Sequence, residues 1–210
     1  MCRLLYVRSE TEFDISKFLL KFSDIAKDSK EFQGHGWGCS YLSADEWKRY
    51  KNIRPVWEDN LNDFGKTKVL LAHARSAFKD EGICIENNMP FFDDKYEFAF
   101  NGELRGVRIN SPGRIGAEKI FNYIKRFYKG DIYEAIDKAA GIILKMTKYA
   151  RAMNFVLCDK NSAYVYSFFS EDPEYFTLYV KTGSEIIVSS MPFPGEQDWK
   201  KIQNKSLTKF

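Results

Sequence analysis

The sequence predicts an α+β domain, and three observations carry that expectation. Short apolar runs bounded by turn residues cluster toward the two ends, two stretches of helical periodicity lie together in the middle, and 44% hydrophobic residues, with 16% aromatic, can fill a sizeable core. At 210 residues the chain fits one domain spanning 1–210, with no composition shift that would mark a linker.

Leu4-Leu5-Tyr6-Val7 reads as the first strand. Behind the candidate cap Asp14, Ile15, Phe18, Leu19, Phe22, Ile25 and Ala26 recur at helical spacing. Glycines 34, 36 and 38 bracket Trp37 in a turn, after which Cys39-Ser40-Tyr41-Leu42 is expected to form a strand paired with the first. Ala44 to Lys66 is charged and irregular and reads as surface helix and loop. Val69-Leu70-Leu71-Ala72 is apolar throughout, as in a strand buried on both faces, and it leads into His73, Ala74 and Arg75. Tyr96 to Phe100 is an aromatic strand ending in the turn signal Asn101-Gly102. Two helices are expected around Ile120–Tyr128 and Ile132–Ile143, neighbours joined near Gly130. Four further strands are expected at Asn154–Cys158, Ala163–Phe169, Phe176–Val180 and Ile186–Ser190.

Thirty-two basic against 29 acidic side chains give a net charge of +3, with the two signs interspersed. This gives no electrostatic support for binding nucleic acid or a membrane. The first apolar run is too short for a signal peptide or a span, and Glu10, Glu12 and Asp14 follow it, so a cytoplasmic protein is expected. Four widely separated cysteines and two histidines lack the spacing of a structural metal site or a disulfide framework. Cys39, Cys84 and Cys158 therefore read as packed thiols. Cys2 differs by position alone: removal of Met1 would expose it as the first residue, with a thiol and a free α-amine together. Their unperturbed pKa values, about 8.5 and about 7.7 to 8.0, let the amine take the proton that the sulfur gives up. Nucleophile and base would be one residue. An early cysteine before a strand is also simply a small buried hydrophobe.

Four segments belong together: Cys2, Gly36-Trp37-Gly38, Ala72-His73-Ala74-Arg75-Ser76-Ala77, and Asn101-Gly102 after Phe98-Ala99-Phe100. Each has a plainer reading, since Asn-Gly is a common hairpin turn, an arginine often forms a surface ion pair, and the glycines can merely pack. In this order, and over nearly the whole chain, they resemble the class II glutamine amidotransferase domain, a branch of the N-terminal-nucleophile (Ntn) hydrolases, in its short stand-alone form. The resemblance extends to Asn87-Asn88-Met89-Pro90-Phe91 and, more faintly, to Ser189-Ser190-Met191-Pro192. It implies a four-layer αββα sandwich and an amidohydrolase that uses neither cofactor nor metal.

By that resemblance Cys2 attacks the side-chain amide of glutamine and its own α-amine moves the proton. Asn101 and the backbone N–H of Gly102 form the oxyanion hole, and the planar fork of Arg75 holds the substrate α-carboxylate. His73, Ser76 and Glu118 are candidate substrate-pocket residues. The sequence departs from the family at the start of the middle helix, where Ile115-Gly116-Ala117-Glu118 keeps the glutamate but has Gly116 at the position of the aspartate that binds the substrate ammonium. The expected substrate is thus glutamine or a related γ-glutamyl amide, with any ammonia acceptor on a separate subunit. The alternative is a catalytically silent domain that binds a metabolite or a partner, because Cys2 has no free amine while Met1 is attached.

Overall fold

The computed structural model describes residues 1–77 and 81–210. Its first strand explains the layering. β1 (Arg3–Asp14) alternates its side chains between two cores, with Leu5 and Val7 on one side and Leu4 and Tyr6 on the other. β4 (Lys66–Ala74), paired antiparallel to it, does the same, sending Leu70, Ala72 and Ala74 one way and Val69 and Leu71 the other. An uninterrupted apolar run is the sequence of a strand covered on both faces, and both strands are.

On one face lies α1 (Ile15–Lys27), opened by the Asp14 carboxylate, which accepts from the Ser16 amide at 2.9 Å. Its residues Ile15, Phe18, Leu19, Phe22, Ile25 and Ala26 are all buried. A 13-residue helix is marginal alone, whereas burying each large apolar side chain contributes roughly 1.5–3 kcal/mol, so docking holds the helix. β1 and β4 are central in a seven-stranded antiparallel sheet that also contains β2 (Trp37–Ser43), β3 (Glu46–Asn52), β9 (Tyr179–Thr182), β10 (Glu185–Ser189) and β11 (Lys200–Lys201), in the order β11-β9-β10-β1-β4-β2-β3.

The opposite face packs on a second antiparallel sheet, β12-β8-β7-β6-β5, made of β5 (Phe91–Phe92), β6 (Glu97–Arg105), β7 (Tyr149–Cys158), β8 (Ala163–Ser167) and β12 (Ser206–Lys209). Outside it lie α2 (Gly116–Lys125) and α3 (Ile132–Lys145), with Phe121 of α2 stacked on Phe98 of β6 at 5.1 Å. Helix, sheet, sheet and helices make the four-layer sandwich of Ntn-hydrolase type. A last turn of helix, α4 (Pro173–Phe176), precedes β9. Among the described residues no helix is long and apolar enough to cross a membrane.

Because Phe98 faces the helices, the alternate residues of β6 face the first sheet. Buried Glu97 accepts there from Ser40 Oγ of β2 at 2.7 Å and Arg49 Nε of β3 at 2.8 Å. By the two-residue pleat, Asn101 points the same way.

Four local expectations change. Glu46-Trp47-Lys48-Arg49-Tyr50-Lys51-Asn52 is a strand, charged because it forms the sheet edge, where polar side chains also discourage pairing with other chains. β2 lies against β4 instead of β1, which has β4 and β10 as its neighbours. Phe176 closes α4, and β9 begins only at Tyr179. Asn101-Gly102 is no turn: β6 runs through it, with Asn101 opposite Asn154 and Gly102 opposite Met153. The glycine is required by close approach, since a Cβ there would lie 2.2 Å from the carbonyl oxygen of Ala152.

Candidate active site

Cys2 stands immediately before β1, and the pairing of Arg3 with Ala74 sets it beside Arg75 and Ser76 at the end of β4. Its Sγ accepts from the Ser76 amide at 3.5 Å and lies 3.7 Å from the Ser76 carbonyl. Burial pushes the thiol pKa up, while the chain's amino terminus, the Ser76 amide and the Arg75 charge pull it down. The pocket therefore favours neutral sulfur at rest but contains groups that stabilise a thiolate.

Arg75 is held by its backbone, its N–H donating to Gly36 at 2.9 Å and its carbonyl accepting from His35 at 3.1 Å. Gly36 takes a left-handed φ of +101°, and a Cβ there would strike the Asn88 side chain at 2.2 Å, so the turn that receives Arg75 needs glycine. The buried guanidinium donates from Nη1 to the Gly82 carbonyl at 2.9 Å, and no carboxylate of the described residues forms an ion pair with it. Its pKa is lowered by burial, against the raising influence of Cys2 and Cys84. A buried cation whose partner is a neutral carbonyl is suited to receiving an anion.

Asn101 is fully buried, and neither its Oδ1 nor its Nδ2 has a hydrogen-bond partner. Asn154, opposite it, is fully engaged: its Nδ2 donates to the Phe176 carbonyl at 2.6 Å and its Oδ1 accepts from the Phe168 amide at 3.1 Å. His73 joins the two sheets next to this pair, with Nε2 donating to the carbonyl of Phe100 at 3.2 Å. Burial first, and the Arg75 charge second, depress its pKa to about 3, so it is neutral near pH 7. A carbonyl can only accept, so the proton is on Nε2, and Nδ1 is left without a partner.

Glu118 lies in the first turn of α2, accepting from Arg114 through its amide at 2.6 Å, Nε at 3.0 Å and Nη2 at 2.8 Å. That arginine lowers its pKa. Beside it Gly116 faces open space, with nothing within 4 Å of where a Cβ would stand.

The structure thus brings Cys2 and Ser76 into contact, sets Arg75 beside them, and ties β4 to β6 at Phe100, the neighbour of Asn101, through His73. Sequence reasoning missed a second group around the amino terminus. The Met1 ammonium pairs with Glu31, and the Met1 carbonyl accepts from Gln33 Nε2 and Tyr175 Oη, each at 2.5 Å. Arg3 lies beneath, its guanidinium 4.2 Å from the Tyr175 ring centre, donating to Ser29 Oγ at 3.1 Å and the Ser190 carbonyl at 3.3 Å. Ser190 also accepts from the Leu4 amide at 3.0 Å, which fixes the start of β1. Glutamine 33 and tyrosine 175 are 142 positions apart, and no local pattern in the sequence joins them.

No protein-family model matches the chain, and no curated protein does. Solved structures do. The "glutamine aminotransferase class-II domain protein" of Silicibacter pomeroyi superposes with a TM-score of 0.68 at 15% identity, over 99% of this chain and 94% of that one. A "predicted glutamine amidotransferase" of Pseudomonas aeruginosa PA01 gives 0.64 at 12%, over 100% and 97%. The glutamine phosphoribosylpyrophosphate amidotransferase of B. subtilis, a longer protein, gives 0.64 at 18%, over 90% of this chain and 42% of that one. The chain therefore has the fold of these glutamine amidotransferase structures and covers nearly the whole of the two short ones.

Proposed function

We propose that the protein is an amidohydrolase of the class II glutamine amidotransferase type, active once Met1 has been removed. One observation carries this reading: a thiol beside a buried arginine that has no carboxylate partner among the described residues, at the end of the sandwich where a buried asparagine has its whole hydrogen-bonding capacity free. Buried polar groups are mostly satisfied within a protein, and among the described residues Asn101 is the buried side-chain amide with both its donor and its acceptor free, which supports a ligand there.

In the reaction the Cys2 α-amine takes the thiol proton and the sulfur attacks the amide carbon of the substrate side chain. The oxygen of the tetrahedral intermediate gains negative charge and is met by Asn101 Nδ2 and the Gly102 N–H. The carbon–nitrogen bond then breaks, the α-amine returns the proton to the leaving ammonia, and water hydrolyses the thioester. Arg75 binds the α-carboxylate through its planar fork. Ser76 and His73 shape the pocket around the sulfur, and Glu118 is the carboxylate retained where α2 begins. Ammonia is either released or passed to a separate acceptor subunit.

An intact mass spectrum after incubation with an electrophilic glutamine analogue tests this. Loss of Met1 with one adduct mapping to Cys2 is expected. Turnover should vanish in Cys2→Ala with the thermal midpoint nearly unchanged, and substantial glutaminase activity in that variant would refute the assignment. The hydrogen-bonded hold on Met1 favours a second reading, a silent binding domain that keeps its methionine. Retention of Met1 in the mature protein, with no adduct, would establish that instead.

A further inference from the structure

Met1 occupies a formed pocket. Its ammonium is paired with Glu31, its carbonyl takes two donors from Gln33 and Tyr175, and its side chain packs against the cluster of Ala152, Tyr175 and Phe176, beside Phe169. These are the three recognitions that an apolar α-amino acid requires: a carboxylate for the amine, donors for the carboxyl group and an apolar wall. Gln33 is fully buried, and while its Nε2 lies within bonding distance of four acceptors its Oε1 has no partner. Its two Nε2 hydrogens are therefore shared among more acceptors than they can serve, the Met1 carbonyl among them, and Oε1 is left as an acceptor for a ligand N–H. The pocket adjoins the Cys2 nitrogen, because Met1 is bonded to it. Arg75, beside Ser76, approaches the thiol from the end of β4.

We infer that, once Met1 is gone, this pocket is the leaving-group subsite and that it takes an apolar α-amino acid. The inference rests on the reading of Cys2 as the nucleophile, and it narrows the substrate to a γ-glutamyl amide of such an amino acid. Sγ bonds to the γ-carbonyl carbon and the carbon–nitrogen bond breaks. The departing nitrogen takes the proton that the Cys2 α-amine had accepted from the thiol, and water later hydrolyses the thioester. In the bound amide the substrate N–H faces Glu31, and after cleavage Glu31 faces the amine of the product, which becomes an ammonium by taking one further proton from water. Its attraction strengthens as the positive charge forms on the leaving nitrogen.

The test uses the full chain in two forms, one processed and one made with methionine aminopeptidase inhibited so that Met1 stays, both carrying Cys2→Ala to prevent turnover. Calorimetry with free L-methionine and with glycine is expected to show that the processed form binds methionine at least about tenfold tighter than glycine, and that the Met1-retaining form binds neither. In the processed form Phe176→Ala, and independently Tyr175→Phe, should each weaken methionine binding several-fold. Equal affinity for methionine and glycine, or equal binding by the two forms, overturns the inference. So does a Glu31 that merely re-pairs with the new amine of residue 2, which would leave the processed form without methionine binding. With Cys2 intact, γ-glutamyl-L-methionine should exceed glutamine in kcat/KM by at least about tenfold. Labelling of Cys2 by the glutamine electrophile without this preference removes the inference and leaves the nucleophile standing. Absence of labelling removes the nucleophile and the leaving-group role together.

Discussion

Two buried asparagines face one another across β6 and β7, and the protein treats them oppositely. Asn154 uses both ends of its amide, holding the Phe176 carbonyl and the Phe168 amide, whereas Asn101 holds nothing. The residue type, the depth and the strand register are the same, so burial alone cannot separate structure from function here. What separates them is the balance of donors and acceptors. A satisfied buried amide anchors the chain, and an unsatisfied one costs about 1–3 kcal/mol that a ligand can recover.

The sharpest way to break this comparison is to truncate each asparagine and read both stability and turnover. Asn101→Ala should lower kcat by about 10²–10³, equivalent to about 2.7–4 kcal/mol of transition-state stabilisation, with no loss of unfolding free energy, because the unpaired amide is removed with it. Continuous ammonia release and urea melts report the two quantities. Equal damage to stability and turnover would mean that Asn101 is an anchor after all.

His73, next to the pair, extends the comparison to pH. Its folded pKa, about 3, lies below the value of roughly 6.5 expected in the unfolded chain, so between these limits the unfolded state binds more protons. Stability is therefore lost as pH falls through 6.5 toward 3. From pH 6.5 to pH 4 the loss from this one residue is about 3 kcal/mol. Denaturant melts across that range should show His73→Gln flatter than the parent, and an identical slope would remove the histidine from the account.

Much of this fold was legible in the sequence because its signals are periodic. The six apolar positions of α1, its Asp14 cap, the doubly buried run at Val69–Ala72 and the helix pair around Gly130 depend on local repetition. Where a residue's role depended on a distant strand, local rules gave the wrong answer. Asn101-Gly102 has the composition of a hairpin turn, yet β7 carries the strand straight through it and the carbonyl of Ala152 dictates the glycine. Glu46–Asn52 has the charge of a loop, yet β2 gives it a partner. Cys2, Arg75 and Asn101 stood out as members of an ordered pattern. Gln33, Tyr175 and Asn154 did not, since what makes them notable is a contact with residues far along the chain.

The smallest effect expected is on the anchoring side of the pair. Asn154→Ala removes a donor to the Phe176 carbonyl, at the C-terminal end of α4, and an acceptor for the half-buried Phe168 amide, just beyond β8. Two neutral hydrogen bonds at about 1 kcal/mol each set a loss of roughly 2 kcal/mol in unfolding free energy. Asn154→Asp keeps the acceptor but replaces the donor by an oxygen facing the Phe176 carbonyl, so it should be no better than alanine. Because Tyr175 and Phe176 carry the wall against which Met1 packs, loosening α4 should also accelerate amide exchange at residues 175–178 before it alters exchange in β6. Exchange rising first in β6 would place the effect of Asn154 on Asn101 itself, and the two asparagines would then be one unit instead of two.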